Sequence, residues 1–172
     1  MSGNERREKI IKILKSLIKP VSGSYLSKVL DVSRQVIVSD VALIRASGIN
    51  IISTPKGYVL NEEECENKFI KTIACKHSKE CIEDELNVIV DEGATVVNVI
   101  VEHSVYGQLT ANLHLSSRRD IREFIKKLGE DTVNPLSQLT DGVHLHTIKC
   151  DKEEVLENVM RSLKEKGYLL YS

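Results

Sequence analysis

The first third of this 172-residue chain contains three short segments in which apolar residues recur at helical spacing. The apolar stripes are Ile10, Leu14, Leu17 and Ile18 in the first segment, Leu26, Val29 and Leu30 in the second, and Ile37, Val41 and Ile44 in the third. Pro20 stops the first helix, Ser33 caps the third, and Gly48 ends it. Two short strand-like runs then flank residues 54–57, which predicts a hairpin. Three helices and a hairpin are typical of a winged helix-turn-helix.

Charge is distributed unevenly along the chain. Residues 1–60 carry ten basic and four acidic side chains, a formal charge of +6. The other 112 residues carry 14 basic and 21 acidic side chains, a charge of −7, and the two values sum to the −1 of the whole chain. A basic region favours binding to a polyanion, although six net charges on a small domain would be unremarkable alone. The asymmetry predicts two domains with different partners, with boundaries at residues 1–61 and 62–172.

The third helix of such a domain can lie in the major groove of DNA. The residues predicted to contact a double-stranded operator are Ser33, Arg34, Gln35, Val38 and Ser39, opposite the buried stripe, and Lys56 at the hairpin tip. Arginine can pair with guanine and glutamine with adenine, while serine can bind phosphate. The same elements also build protein-interaction modules. The agreement of helices, wing and charge favours DNA binding.

The remaining residues alternate between strand and helix patterns. Predicted strands cover residues 68–75, 94–102, 108–115 and 143–150, and helices follow the first, third and fourth of them. Residues 134–142 are predicted to form a loop, and residues 168–171 a short edge strand. The order βαββαβα predicts an α+β open-faced sandwich, largely antiparallel, with helices on one side of the sheet. The pattern does not fix the order of the strands.

Composition excludes several classes of protein. The longest apolar stretches, such as residues 96–101, are too short to cross a bilayer, and residues 1–12 are too polar for an export signal. We therefore expect a cytoplasmic protein with no membrane partner.

The four cysteines, Cys65, Cys75, Cys81 and Cys150, contain no C-x-x-C pair, so we expect reduced thiols. With 4% aromatic residues and no tryptophan, a stacking platform for single-stranded nucleic acid is not expected.

Four side chains are candidates for a metal site. His144 and His146 are two residues apart on a predicted strand, so they point the same way, about 7 Å apart. Two imidazoles in this arrangement could converge on one cation, or they could simply be exposed. His77 and Glu85 would be about 12 Å apart on one continuous helix, but a turn at His77 could bring them together. Three imidazoles and one carboxylate suit nickel, zinc or iron.

Several motifs together resemble the niacin-responsive transcriptional repressors of Firmicutes and Thermotogales. Residues 33–40 and 54–58 are similar to the DNA-binding domain of that family. Residues 76–78, 101–107, 135–140 and 142–147 are similar to its C-terminal three-histidine (3H) domain. The sequence differs from the family pattern at Ser104, where the family usually has proline. The family residues at the neighbouring positions Tyr106 and Gly107 are present in this chain.

The resemblance implies a homodimeric repressor of genes for NAD synthesis or niacin uptake, with nicotinic acid as the corepressor. It implies an HPr-like fold for the second domain. It also implies a divalent metal at His77, Glu85, His144 and His146.

Nicotinate is a flat anion that needs a cation or oriented N–H groups for its carboxylate and an apolar slot for its ring. The candidates to complete this slot are His103, Tyr106, Arg118 and the backbone amides that follow Ser116 and Ser117. His103 could instead be solvated, and a solvated helix residue is the favoured interpretation of Arg118; His114 is expected to be structural or exposed. Two other functions are possible: a regulator that senses the metal itself, and a metalloenzyme fused to a DNA-binding domain. No catalytic residue is predicted, because no further general base lies near the ligand segments.

Overall fold

The computed structural model describes residues 2–17, 19–61, 69–130 and 134–170. The chain forms two compact units, Met1–Cys65 and Glu66–Ser172. The predicted boundary between residues 61 and 62 borders a segment, residues 62–68, outside the described part, so it stays a prediction. Cys65 and Ile18 also lie outside the described residues.

The N-terminal unit consists of three helices and a two-stranded antiparallel hairpin. The helices are α1 (Gly3–Ser16), α2 (Gly23–Leu30) and α3 (Arg34–Ala46), and the strands are β1 (Ile51–Thr54) and β2 (Gly57–Leu60). Ser2, Ser22 and Ser33 each cap a helix by accepting a hydrogen bond from a backbone N–H three residues later. The predicted winged helix-turn-helix is therefore present.

The core of this unit follows the predicted stripes with two exceptions. Ile10 and Leu14 of α1 are buried, but Leu17 is 44% exposed because α1 ends at Ser16. In α2, Val29 is 52% exposed, because an eight-residue helix buries only the positions on its inner side. The stripe of α3 is buried as predicted.

A buried carboxylate that sequence reasoning missed lies on the inner side of α3. Asp40 is 2% exposed and accepts hydrogen bonds from Arg6 Nε at 2.5 Å and Arg7 Nη1 at 3.4 Å. These contacts join α1 to α3. Two of the ten basic side chains that gave this region its positive charge are therefore paired inside the domain.

The C-terminal unit is a four-stranded antiparallel sheet with three α-helices. Its elements are β3 (Phe69–Lys76), α4 (Ile82–Asp91), β4 (Thr95–His103), β5 (Gly107–Leu115), α5 (Arg118–Glu130), β6 (Val143–Cys150) and α6 (Glu153–Glu165). The strand order is β3-β6-β4-β5. The βαββαβα pattern and the α+β class are confirmed, and β6, the last strand in sequence, lies between β3 and β4.

The main core of this unit lies between the sheet and its helices. Alternate residues of β6 are buried, from His144 to Cys150, and they contribute to the face that carries the core. No helix in the described ranges is long and apolar enough to cross a membrane.

Several predicted boundaries differ from the structure. Lys79–Cys81 form a 3-10 helix before α4, and a second 3-10 helix, Leu136–Thr140, occupies the predicted loop. His103 is the last residue of β4 instead of part of the turn. The predicted edge strand is a short antiparallel bridge between Cys75 and Leu169.

Candidate metal centre and cavity

The four predicted metal ligands meet in the C-terminal unit. His77 Nε2 lies 2.6 Å from Glu85 Oε2, and His144 Nε2 lies 3.2 Å from both carboxylate oxygens. His146 Nε2 lies 3.4 Å from Glu85 Oε2. All four side chains are at most 4% exposed. The structure thus gathers three imidazole nitrogens around one buried carboxylate.

Three elements of the fold bring these residues together. Strand alternation places His144 and His146 on the helix-bearing face of β6, as their spacing predicted. Glu85 is in the first turn of α4, where a negative charge is favoured by the unpaired N–H groups of the helix end. His77 directly follows β3, and the 3-10 helix after it turns the chain toward α4.

Each histidine is oriented by a backbone carbonyl. The Nδ1 atoms of His77, His144 and His146 lie 2.8 Å from the oxygen of Ser78, 2.8 Å from that of Gly142 and 2.7 Å from that of Asn98. A carbonyl oxygen can only accept, so each Nδ1 carries a proton and donates it. The neutral form of each ring then has its Nε2 lone pair directed at the cluster, which is the arrangement of most metal-binding histidines.

A β-bulge supplies one of these carbonyls. The register of β4 shifts between Val96 and Asn98 against both of its neighbours. At this shift Asn98 accepts two hydrogen bonds, from His146 Nδ1 through its backbone oxygen and from Thr147 N at 3.0 Å through its side chain. No feature of the sequence marks the bulge, and Asn98 was not predicted.

Gly142 shapes the site on the side of His77. It has a φ of +84°, and a Cβ added there would lie 2.2 Å from the backbone oxygen of His77. Only glycine allows this close approach of two backbone segments. Gly142 therefore contributes both the space for His77 and the carbonyl that orients His144.

The cluster also determines its own ionisation. Burial raises the pKa of Glu85, but the charge of His146 and the three imidazole hydrogen bonds outweigh this and hold the pKa well below 4.5. Burial lowers the pKa values of His77 and His146, but the interactions with Glu85 raise both above 6.5. Without a cation, protons on the imidazoles are what neutralise the carboxylate.

Cys75 is a further residue at the cluster that sequence reasoning did not place there. It is fully buried on β3, opposite His144 on β6, and its Sγ, an oxygen of Glu85 and a nitrogen of His144 lie within 4.8 Å of one another. Burial, together with the Glu85 carboxylate, raises the pKa of the thiol. Strand alternation with His77 could have identified it. Cys75, Cys81 and Cys150 are all free.

A cavity of about 240 Å³ adjoins the cluster. Glu85, His144 and His146 form part of its lining, together with Asn134 and Ser137. The other lining residues are apolar: Ile82, Leu86, Val99, Ala111, Leu113, Phe124, Leu128, Pro135 and Leu136. A small ligand in this cavity would contact the cluster directly.

The predicted effector residues do not reach this cavity. His103 Nδ1 accepts hydrogen bonds from the backbone N–H groups of Val105 and Tyr106. The ring of His103 packs near that of Tyr106 at the β4–β5 turn. Arg118 forms an exposed ion pair with Asp91. None of the three lies among the described residues that line the cavity.

Two backbone amides at the start of α5, those of Ser116 and Asp120, are engaged within the domain. The N–H and hydroxyl of Ser116 donate to the carboxylate of Asp120. The N–H of Asp120 donates to Ser117 Oγ. The helix end predicted to attract nicotinate therefore has a carboxylate of its own beside it.

The predicted DNA-contacting residues share one surface of α3. Ser33, Arg34, Gln35, Val38 and Ser39 are all exposed. Lys56 lies at the turn between β1 and β2 and is half-buried. Arg45, also on α3, donates to the backbone of Ile51 and to Ser53, so its side chain joins α3 to β1.

Comparison with known proteins places both units in characterised families. The HTH domain family matches residues 6–59, and the 3H domain family matches residues 70–172. The chain is 43% identical over 166 residues to the probable transcription repressor NiaR of Thermotoga maritima, covering 96% of this chain and 94% of that protein. It is 41% identical over 172 residues to the transcription repressor NadR of Bacillus subtilis, covering 99% of this chain and 96% of that protein.

These similarities extend over nearly the whole chain, so they concern the combination of both domains. Both relatives are named as repressors and neither as an enzyme, which sets the metalloenzyme alternative aside. The chain belongs to the NiaR/NadR family of DNA-binding transcription repressors.

Proposed function

We propose that this repressor uses nicotinic acid as its corepressor and that its 3H domain holds one divalent transition metal, nickel, zinc or iron, through His77, Glu85, His144 and His146. The observation that carries the proposal is the arrangement of three Nε2 atoms around Glu85, with every Nδ1 committed to a backbone carbonyl. The regulated genes would be those for NAD synthesis or niacin uptake.

The donor set fits a divalent cation better than it fits protons alone. With each Nδ1 already donating, a ring can hydrogen-bond to the ionised carboxylate of Glu85 only by carrying a second proton on Nε2. Three such rings would bury several charges around one carboxylate, at a considerable cost in desolvation. Three neutral imidazoles and one carboxylate, in contrast, are suitable ligands for a borderline metal ion.

When bound, the metal would supply a fixed positive charge at the wall of the cavity. Neutral imidazoles, one carboxylate and a divalent ion leave the site with one net positive charge, which attracts an anion. The chain provides the rest of the ligand site: mostly apolar walls that include Phe124 and Leu113, with Asn134 and Ser137 also in the lining. Drug-sized pockets are about 300–1,000 Å³, so a cavity of 240 Å³ suits a single-ring molecule such as nicotinate.

The N-terminal unit would read the operator. The exposed residues Ser33, Arg34, Gln35, Val38 and Ser39 form the surface that a helix-turn-helix presents to the major groove, and Lys56 is suited to phosphate contact. A two-fold operator calls for a homodimer. We expect a cytoplasmic location, where DNA and reduced thiols are found together. Corepression requires that nicotinate bind the DNA-competent form more tightly than the other form.

Operator binding tests this function. Duplexes that bind are first selected from a random pool with the metal-loaded protein, and their affinity is then measured with and without nicotinate. Nicotinamide, which lacks the negative charge, is the matched control. We expect nicotinate to raise the affinity, nicotinamide to leave it unchanged, and a chelator to abolish the effect.

Other results would lead to different conclusions. Operator binding that depends on metal but not on nicotinate would identify a metal-sensing regulator. Operator binding that neither the metal nor nicotinate affects would contradict the proposed function.

A further inference from the structure

His77 is the metal-site histidine with the least support from regular structure. His144 and His146 are both within β6, which is paired with strands on both sides. His77 lies outside any strand or helix, between Lys76 and the 3-10 helix. Its side chain therefore needs support from another part of the molecule to keep Nε2 at the cluster.

The segment after α6 pairs with the chain immediately before His77. Gly167, with φ +74°, reverses the chain, and residues 168–170 run beside the edge of β3. Lys76 N–H donates to the carbonyl of Tyr168 at 2.9 Å, and Leu170 N–H donates to the carbonyl of Ala74 at 3.0 Å. The backbone immediately before His77 is thus paired with the end of the described chain.

The side chain of Tyr168 then packs against the His77 ring. The two ring centroids are 5.1 Å apart, with an interplanar angle of 60°. The Tyr168 hydroxyl donates to Asp84 Oδ2 at 2.6 Å, and Lys166 Nζ lies 2.7 Å from the same oxygen. Asp84 directly precedes Glu85 on α4, so one aromatic side chain connects two of the three ligand-bearing segments.

The geometry points to Tyr168 as a positioning residue for metal binding: it holds the ring of His77 against the cluster and couples docking of the 168–170 segment to metal occupancy. This inference rests on the proposed metal site. It has a thermodynamic consequence. If a docked segment increases metal affinity by some factor, bound metal must favour the docked segment by the same factor.

Two substitutions at Tyr168 distinguish the contribution of its ring to metal affinity from that of its hydroxyl. Tyr168→Leu removes both, whereas Tyr168→Phe keeps the ring against His77 and removes only the bond to Asp84. Loss of an outer partner of a metal ligand costs about 10- to 100-fold in metal affinity. We expect a loss in this range for Tyr168→Leu, and recovery of most of it in Tyr168→Phe. Tyr25→Leu, an exposed tyrosine in α2, is the control and should not change the affinity.

The measurement uses Ni²⁺ in competition with a chelator, and the visible absorption of Co²⁺ as a report of ligand geometry. Amide hydrogen exchange of Lys76 and Leu170 in the unsubstituted protein provides a readout that does not depend on any variant folding. We expect Ni²⁺ to slow exchange at both amides, and Tyr168→Leu to change the Co²⁺ spectrum.

The outcomes distinguish this inference from the proposed function. If the unsubstituted chain binds no metal, both are wrong. If it binds metal and Tyr168→Leu binds it equally well, with exchange at Lys76 and Leu170 unaffected by Ni²⁺, the positioning role is wrong and the metal site stands.

Discussion

Replacing Gly142 with alanine perturbs the candidate metal centre through sterics alone. The added Cβ would lie 2.2 Å from the His77 backbone oxygen, while real Cβ atoms essentially never approach closer than 3.0 Å. The difference requires a shift of about 0.8 Å between His77 and Gly142. The His77 oxygen is a backbone atom and the Cβ is bonded directly to the backbone, so no flexible side chain can absorb the shift.

Two effects follow from this displacement. An alanine at positive φ costs about 1–2 kcal/mol in folding free energy. A functional site needs its groups held within about 0.5 Å, which the shift of His77 exceeds. Because Gly142 also orients His144 through its carbonyl, we expect Ni²⁺ affinity to fall about 10- to 100-fold.

Two other glycines provide matched controls. Gly93 has φ +95° and its Cβ would meet nothing closer than 4.0 Å, so Gly93→Ala carries the strain without the clash. Gly57 has a comparable clash, 2.3 Å from the Val21 oxygen, but in the DNA-binding unit. Denaturant unfolding and chelator competition should show a loss of stability in all three variants and a loss of Ni²⁺ affinity in Gly142→Ala only. Equal Ni²⁺ affinity in Gly142→Ala and Gly93→Ala would refute the reasoning.

Further predictions concern the ligands and the DNA surface. Glu85→Gln should weaken Ni²⁺ binding more than Gly142→Ala does and change stability little, because the imidazoles can lose their protons; unchanged binding would exclude Glu85 as a ligand. Ni²⁺ affinity should rise between about pH 5 and 8, because protons compete with the metal for Nε2 and the raised pKa values of His77 and His146 keep those protons bound past pH 6.5. An affinity that does not change with pH would argue against imidazole ligands. Arg34→Ala should cost about 1–3 kcal/mol in operator binding and relax specificity at one base pair, whereas a uniform loss would make it a phosphate contact. Lys56→Ala should weaken binding to all DNA sequences alike and reduce the slope of log affinity against log salt concentration by about 1. A loss of affinity that depends on the DNA sequence would contradict this.

Local patterns predicted most of the fold. The stripe of Ile37, Val41 and Ile44 is buried as expected, because helix periodicity determines which side of α3 faces the core. The pair of His144 and His146 is on one face, because strand alternation leaves no other choice. These predictions depend only on residues near each other in sequence.

Long-range packing could not be predicted in the same way. Asn98 orients His146 through a β-bulge, and Asp40 is buried by arginines more than 30 residues earlier. The loop after α5 lines the cavity instead of the residues predicted to hold the effector, because strand order decides which loops reach the cluster. Tyr168 has no local motif that connects it to His77.

Anomalous X-ray scattering from crystals of the full chain grown with Ni²⁺ tests the proposed metal site directly. The proposed site predicts one strong peak in the 3H domain, bounded by the Nε2 atoms of His77, His144 and His146 and by the carboxylate of Glu85. A peak located elsewhere, or no peak at saturating Ni²⁺, would show that these four side chains do not form a metal site.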